Sequence, residues 1–136
     1  MSIQSGVYKI KNVATQLYAK PETSGSNSGI IVVKDDFTDN MQWIFSSVGG
    51  DIDTIKNKGS QLFAYVSNNA QPPTAVVLNS PSQNFVVKVI AGTSYYSIAT
   101  EDTAVFWTAN QNSPGAKVIL GNSDRTQLAQ WSIEKA

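Results

Sequence analysis

Catalysis and metal binding need particular side chains at particular spacings, and this chain carries few of them. It has no His and no Cys. The first absence removes the usual general base near neutral pH, the Ser-His and Cys-His nucleophilic pairs and the commonest transition-metal ligand. The second removes a disulfide framework, a thiolate nucleophile and any Cys-ligated metal. Asp51 and Asp53 stand two apart on an expected strand, hence on one face, yet no partner for general acid work is identifiable. Asp35, Asp36 and Asp39 offer oxygens to a hard cation, but without the Asp-x-Asp-x-Asp-Gly spacing of a defined loop they read as a solvated turn. The residues that remain suit recognition: the aromatic pairs Tyr95-Tyr96 and Phe106-Trp107, the Asn-rich stretch from Asn110 to Asn112, and Arg125, the only Arg in the chain. The expectation is a binding protein with no enzymatic activity, no cofactor and no metal.

Charge narrows the partners. Ten basic residues balance ten acidic ones, and charged residues are 15% of the chain, against roughly 25% in a typical domain. Nucleic acid and anionic membranes therefore lose their electrostatic attraction. No apolar run is long enough to span a bilayer, and Met1 to Gly6 has neither the basic nor the apolar region of a secretory signal. A soluble protein of the cytoplasm is expected.

Architecture follows from a passage that the chain repeats. Ile10-Lys11-Asn12-Val13-Ala14-Thr15-Gln16-Leu17-Tyr18-Ala19 returns as Ile55-Lys56-Asn57-Lys58-Gly59-Ser60-Gln61-Leu62-Phe63-Ala64, and a worn third copy runs from Ser97 to Trp107. The units close alike, at Gln42-Trp43, at Gln83-Asn84-Phe85 and at Gln130-Trp131. One domain over residues 1–136, with repeats at about 1–48, 49–91 and 92–136, accounts for the chain.

Within each unit, short alternating or β-branched runs are separated by polar turns rich in Gly and Pro. Examples are Val7 to Lys11, Gln16 to Lys20, Ile30 to Val33 and the segment around Trp43. Four strands per unit and no helical period predict an all-β fold, a β-trefoil of three four-stranded repeats. Its outer strands would form a six-stranded barrel and its inner hairpins a cap. Three four-stranded blades are too few to close a propeller. The repeated apolar residues are then core: Ile10, Ile55 and Ile98 in the barrel, Leu17, Leu62 and Val105 in the cap, and Trp43, Phe85 and Trp131 at the unit ends.

The opening Gly6-Val7-Tyr8-x-Ile10-x-Asn12 and the closing Gln-Trp pairs resemble the β-trefoils of the ricin B-like lectin group and of fungi, which include both lectins and small protease inhibitors. In the lectins, that resemblance implies a Leu-Asp pair in the second strand of a unit, with the carboxylate gripping sugar hydroxyls. Here Leu17-Tyr18, Leu62-Phe63 and Val105-Phe106 stand at that position, and the carboxylate is missing from all three units. In layout the chain is similar to the fungal inhibitors, which block a protease cleft with an exposed loop. This implies a protease as partner: a serine (trypsin-like) one, with Arg125, between Asp124 and Thr126, entering its acidic specificity pocket, or a cysteine protease obstructed by the tips at Thr23 to Ser28 and Asn68 to Pro73. The alternative is a lectin with a non-standard sugar site formed by an outward Trp107 with Asn110 and Asn112. A lectin-like subunit that binds another protein is the third reading.

Overall fold

The computed structural model describes residues 3–102 and 104–136; Met1, Ser2 and Thr103, the last within the third copy of the repeat, lie outside the described residues. The first unit comprises β1 (Gly6–Asn12), β2 (Tyr18–Pro21), β3 (Ile30–Val33) and β4 (Trp43–Gly49). The second has β5 (Ile52–Asn57), β6 (Phe63–Tyr65), β7 (Val77–Asn79) and β8 (Asn84–Val89). The third has β9 (Tyr96–Thr100), β10 (Phe106–Ala109), β11 (Val118–Gly121) and β12 (Trp131–Lys135). Single 3-10 turns, Asp39–Met41 and Gln127–Ala129, precede β4 and β12. Among the described residues no helix is long and apolar enough to cross a membrane.

The first and last strands of each unit close a barrel of antiparallel neighbours. Tyr8 stands opposite Trp43, Phe45 opposite Ile55, Asp53 opposite Phe85, Val87 opposite Ile98, Tyr96 opposite Trp131, and Ile133 opposite Ile10, which returns to β1. Closure leaves the barrel no free edge. The hairpins β2–β3, β6–β7 and β10–β11 form the cap, linked to one another by bridges between Gly29 and Val77, Ile31 and Lys117, and Ala75 and Ile119. This is the β-trefoil that the repeat predicts.

Strand parity decides which residues fill it. Ile10, Ile55, Ile98, Trp43, Phe85 and Trp131 are fully buried, whereas Leu17 and Leu62 are only partly buried at the core's edge and Val105 is buried. The second strand of each unit starts later than the sequence suggests. Gln16, Gln61 and Ala104 adopt φ of 59°, 62° and 52°, a left-handed conformation that no strand accommodates. Asp51 also falls outside β5, in the preceding turn, so the Asp51/Asp53 pair expected on one strand face does not exist.

The repeated Asn and Gln have a backbone task. Asn12 Oδ1 accepts the Thr15 N–H at 3.0 Å, and Asn57 Oδ1 accepts the Ser60 N–H at 3.0 Å. Their Nδ2 groups donate to carbonyls of the preceding unit's end, Leu128 at 2.9 Å and Asn40 at 3.0 Å. Gln16 and Gln61 Nε2 each donate back across the turn, to the Val13 and Lys58 carbonyls, at 2.8 Å. Each buried Asn thus fastens its own turn and the neighbouring unit together. Replacing Asn57 by Ala strands these backbone groups, so Asn57→Ala is expected to lose about 1–3 kcal/mol of stability by denaturant titration; a loss below a few tenths would show that water substitutes freely.

Two residues before each repeated Ile lies another inward layer, Tyr8, Asp53 and Tyr96. Tyr8 donates its hydroxyl hydrogen to the Gln4 carbonyl at 2.8 Å. Asp53 is fully buried, and neither of its carboxylate oxygens has a hydrogen-bond partner. Burial, reinforced by the nearby charge of Asp51, raises its pKa above the ordinary carboxylate value. A carboxyl group raised on folding stabilises fully below its unfolded pKa, and that stability is lost as pH rises through the folded value. The melting temperature is therefore expected to fall as pH climbs from the ordinary carboxylate range through the raised one. Asp53→Asn should flatten that slope and be the more stable form at neutral pH, by about 1–3 kcal/mol; an unchanged slope in the variant would place its origin elsewhere.

Candidate functional site

The outward face of each unit's first strand, with the second strand and the β3–β4-type loop beside it, forms a wall that the three units furnish differently. In the first unit the wall is full. Lys9 pairs with Asp35 at 2.7 Å, its Nζ lying 5.2 Å from the Phe37 ring centroid and 5.9 Å from that of Tyr18. Lys11 lies 5.7 Å from the Tyr18 centroid, and Tyr18 donates its hydroxyl hydrogen to Glu134 at 3.0 Å. Partial burial and this bond to Glu134 push the Tyr18 hydroxyl up from its ordinary pKa. Nearby, Lys20 and Thr38 bond to Asp36 and hold its carboxyl down to about 2.

The third unit has the same backbone and smaller side chains. Counting from the repeated Ile, Ser97 takes the place of Lys9 and Ala99 that of Lys11. A cleft of about 670 Å³ opens there, within the range of small-ligand sites. Val86 and Ala99, directly opposite in the β8–β9 register, lie along it together with Phe106 of β10. Lys88 and Ser97 line it toward one end, Glu101 and Ala104 line it in the turn after β9, and Asp124 with Arg125 comes from the loop before β12. A second recess, beside β1 and β12, measures about 140 Å³, too small to enclose a sugar ring on the same scale.

The loop that carries Arg125 is tied down locally. The Arg125 N–H donates to Ser123 Oγ at 3.0 Å, and Gln130 Nε2 donates to the Asp124 carbonyl at 3.1 Å. Its counterpart in the first unit has Phe37 at the Arg125 position, with the Phe37 N–H on Asp35 Oδ1 at 2.9 Å. Phe37 is 81% exposed, and Arg125 is exposed as well. Among the described residues neither Lys88, Glu101, Asp124 nor Arg125 forms an ion pair. The lining therefore includes two cations and two carboxylates, Glu101 accepting a hydrogen bond from Asn84 Nδ2 at 3.5 Å, beside one aromatic ring.

The residues expected to act together are dispersed by the fold. Asp124 and Arg125 share the cleft, whereas Thr126 is the residue before the 3-10 turn and does not line it. Asn110 and Asn112 are exposed on the β10–β11 hairpin, away from the cleft lining, and Asn110 Oδ1 is occupied by the Lys117 N–H at 3.0 Å. Trp107 is a correction: it faces the core and is fully buried. Its ring meets Phe85 edge-on at 5.4 Å and Trp131 at 6.4 Å. The position belongs to the inward set, filled by Ala19 and Ala64 in the other units, and the outward partner is Phe106. The available signal was the repeat itself, which aligns Trp107 with two buried alanines and Phe106 with Tyr18 and Phe63. Trp107→Ala is accordingly expected to remove about 3–5 kcal/mol of stability; a calorimetric loss under 1 kcal/mol would contradict its packing role.

Comparison with known proteins defines the class. The model of the ricin-type β-trefoil lectin domain-like family matches residues 1–79. The designed threefold-symmetric protein ThreeFoil superposes with a TM-score of 0.88 at 21% identity, over 96% of this chain and 99% of its own. The Rhizoctonia solani agglutinin gives 0.87 at 18% identity, over 100% and 99%. The Macrolepiota procera ricin B-like lectin, solved in complex with lactose, gives 0.89 at 18% identity, over 100% of each chain. No curated protein sequence matches the chain. The chain belongs to the ricin-type β-trefoil lectin domain-like family. The protease-inhibitor branch of the expected resemblance receives no support from these comparisons.

Proposed function

We propose that this protein is a carbohydrate-binding β-trefoil without enzymatic activity, and that its sugar site is the cleft of the third unit. The observation that carries the reading is an open aromatic face, Phe106, within a recess sized for a small ligand. A pyranose presents an apolar face of C–H groups that packs on an aromatic ring, while its hydroxyls need fixed polar partners. Glu101 and Asp124 supply acceptors, and Lys88 and Arg125 supply donors. This arrangement takes over the polar anchoring that the missing Leu-Asp carboxylates provide in the family's usual pattern. Family membership and the lectins among its structural neighbours support the same reading.

Protease inhibition of the trypsin-like kind, the first expectation from the sequence, rests on Arg125. That residue lines a concave surface, whereas insertion into a protease needs a projecting one. The glycan reading is tested by a glycan array followed by Phe106→Ala. Binding to at least one glycan class is expected, weakened about tenfold in the variant. Binding that Phe106→Ala leaves intact would move the site elsewhere, and a silent array together with stoichiometric inhibition of trypsin, lost in Arg125→Ala, would restore the inhibitor reading.

A further inference from the structure

The three units share one cross-strand pairing on their outer walls. Lys11 stands opposite Tyr18, Lys56 opposite Phe63, and Ala99 opposite Phe106. In the first two the lysine covers the ring: Nζ lies 5.7 Å from the Tyr18 centroid and 5.5 Å from that of Phe63. Both are cation–π distances. The third unit keeps the ring and the register but loses the cation, and among the described residues no Lys or Arg lies over Phe106. The place that a lysine ammonium fills twice is, in the third unit, the open cleft.

We infer that the cleft selects glycans carrying a free, protonated amino group, whose ammonium takes over Phe106 the position that Lys11 and Lys56 occupy over their rings. This rests on the glycan reading above. Its second support is the charge layout along β9. Glu101 lies two residues beyond Ala99, in the turn leading to β10, and Asp124 faces the cleft from the loop. Lys88 is opposite Ser97, two residues from Ala99 in the other direction, roughly 7 Å along the strand. The ring thus has a carboxylate on the cap side and the Lys88 cation displaced toward the barrel's base, while Arg125 sits beside Asp124 in the loop. An ammonium over Phe106 reaches toward Glu101 and away from Lys88. N-acetylation removes both attractions at once, because the amide is neutral and bulkier.

The test compares a fully deacetylated chitin oligomer with the fully acetylated oligomer of the same length, by calorimetric titration in mildly acidic buffer where the amine is protonated. The deacetylated form is expected to bind about tenfold more tightly. Ala99→Lys, which installs at this buried position the residue that the other two units carry at the same register, should abolish that preference. Phe106→Leu should abolish it too, and serves as the check should the lysine variant fold poorly; Glu101→Gln should reduce it. Equal binding of the two oligomers, stronger binding of the acetylated one, or a preference that survives both Ala99→Lys and Phe106→Leu overturns the inference while leaving the glycan reading standing if either oligomer binds. Failure of both oligomers while other array sugars bind also overturns the inference alone, and failure of every sugar removes the glycan reading with it.

Discussion

Closing six strands on themselves gives an interior in which each layer is filled by one residue from each of three units. The consequence shows where the units differ. Trp43 and Trp131 plug the first and third units, and each donates its indole N–H to a carbonyl 3.0 Å away, of Ala19 and Trp107 respectively. The second unit carries the smaller Phe85, which makes no such bond. Trp107, in place of an alanine, turns edge-on to Phe85 and supplies volume in that part of the core. Its own N–H is left buried with no acceptor. A close-packed interior tolerates an unsatisfied donor better than a void of that size.

With the core fixed in this way, the outer wall is free to vary. Asn12 and Asn57 hold the turns of the first two units and tie each to the preceding unit, and in the third the Val105 N–H donates to Thr100 Oγ1 at 3.1 Å, so these turns are fastened by groups other than the outward side chains. The first unit covers its wall with Lys9, Lys11, Tyr18 and the Asp35 and Asp36 ion pairs. The third replaces the two lysines with Ser97 and Ala99, and a cleft forms without any change in backbone register. The recess is the product of smaller side chains on a shared frame. Such a recess is preorganised, since no ligand-induced movement of a strand is needed to open it.

The fold was legible because a three-times repeated pattern of apolar residues with period-2 alternation admits few closed arrangements, and Ile10, Ile55 and Ile98 mark equivalent layers. The Asn-Gln spacing of the repeat was visible as well, although its function in pinning a left-handed turn became plain only from the hydrogen bonds. The site was less legible. Arg125 drew attention as the only Arg, and Trp107 as the largest aromatic beside a polar tip. Rarity and size say nothing about which way a side chain points.

What the sequence determined by itself was the architecture and the family's scaffold, because burial periodicity and repeat spacing are local properties of the chain. Which residues form a surface was decided only by the tertiary structure. Parity along β10 sends Phe106 outward and Trp107 inward. The ring closure then brings β8 beside β9, and the loop before β12 over both, so that Val86, Ala99, Phe106 and Arg125 come to share one recess. A cleft assembled from strands and loops distant in sequence exists only once the barrel has closed, for its walls are neighbours through hydrogen-bonded register and not through order along the chain.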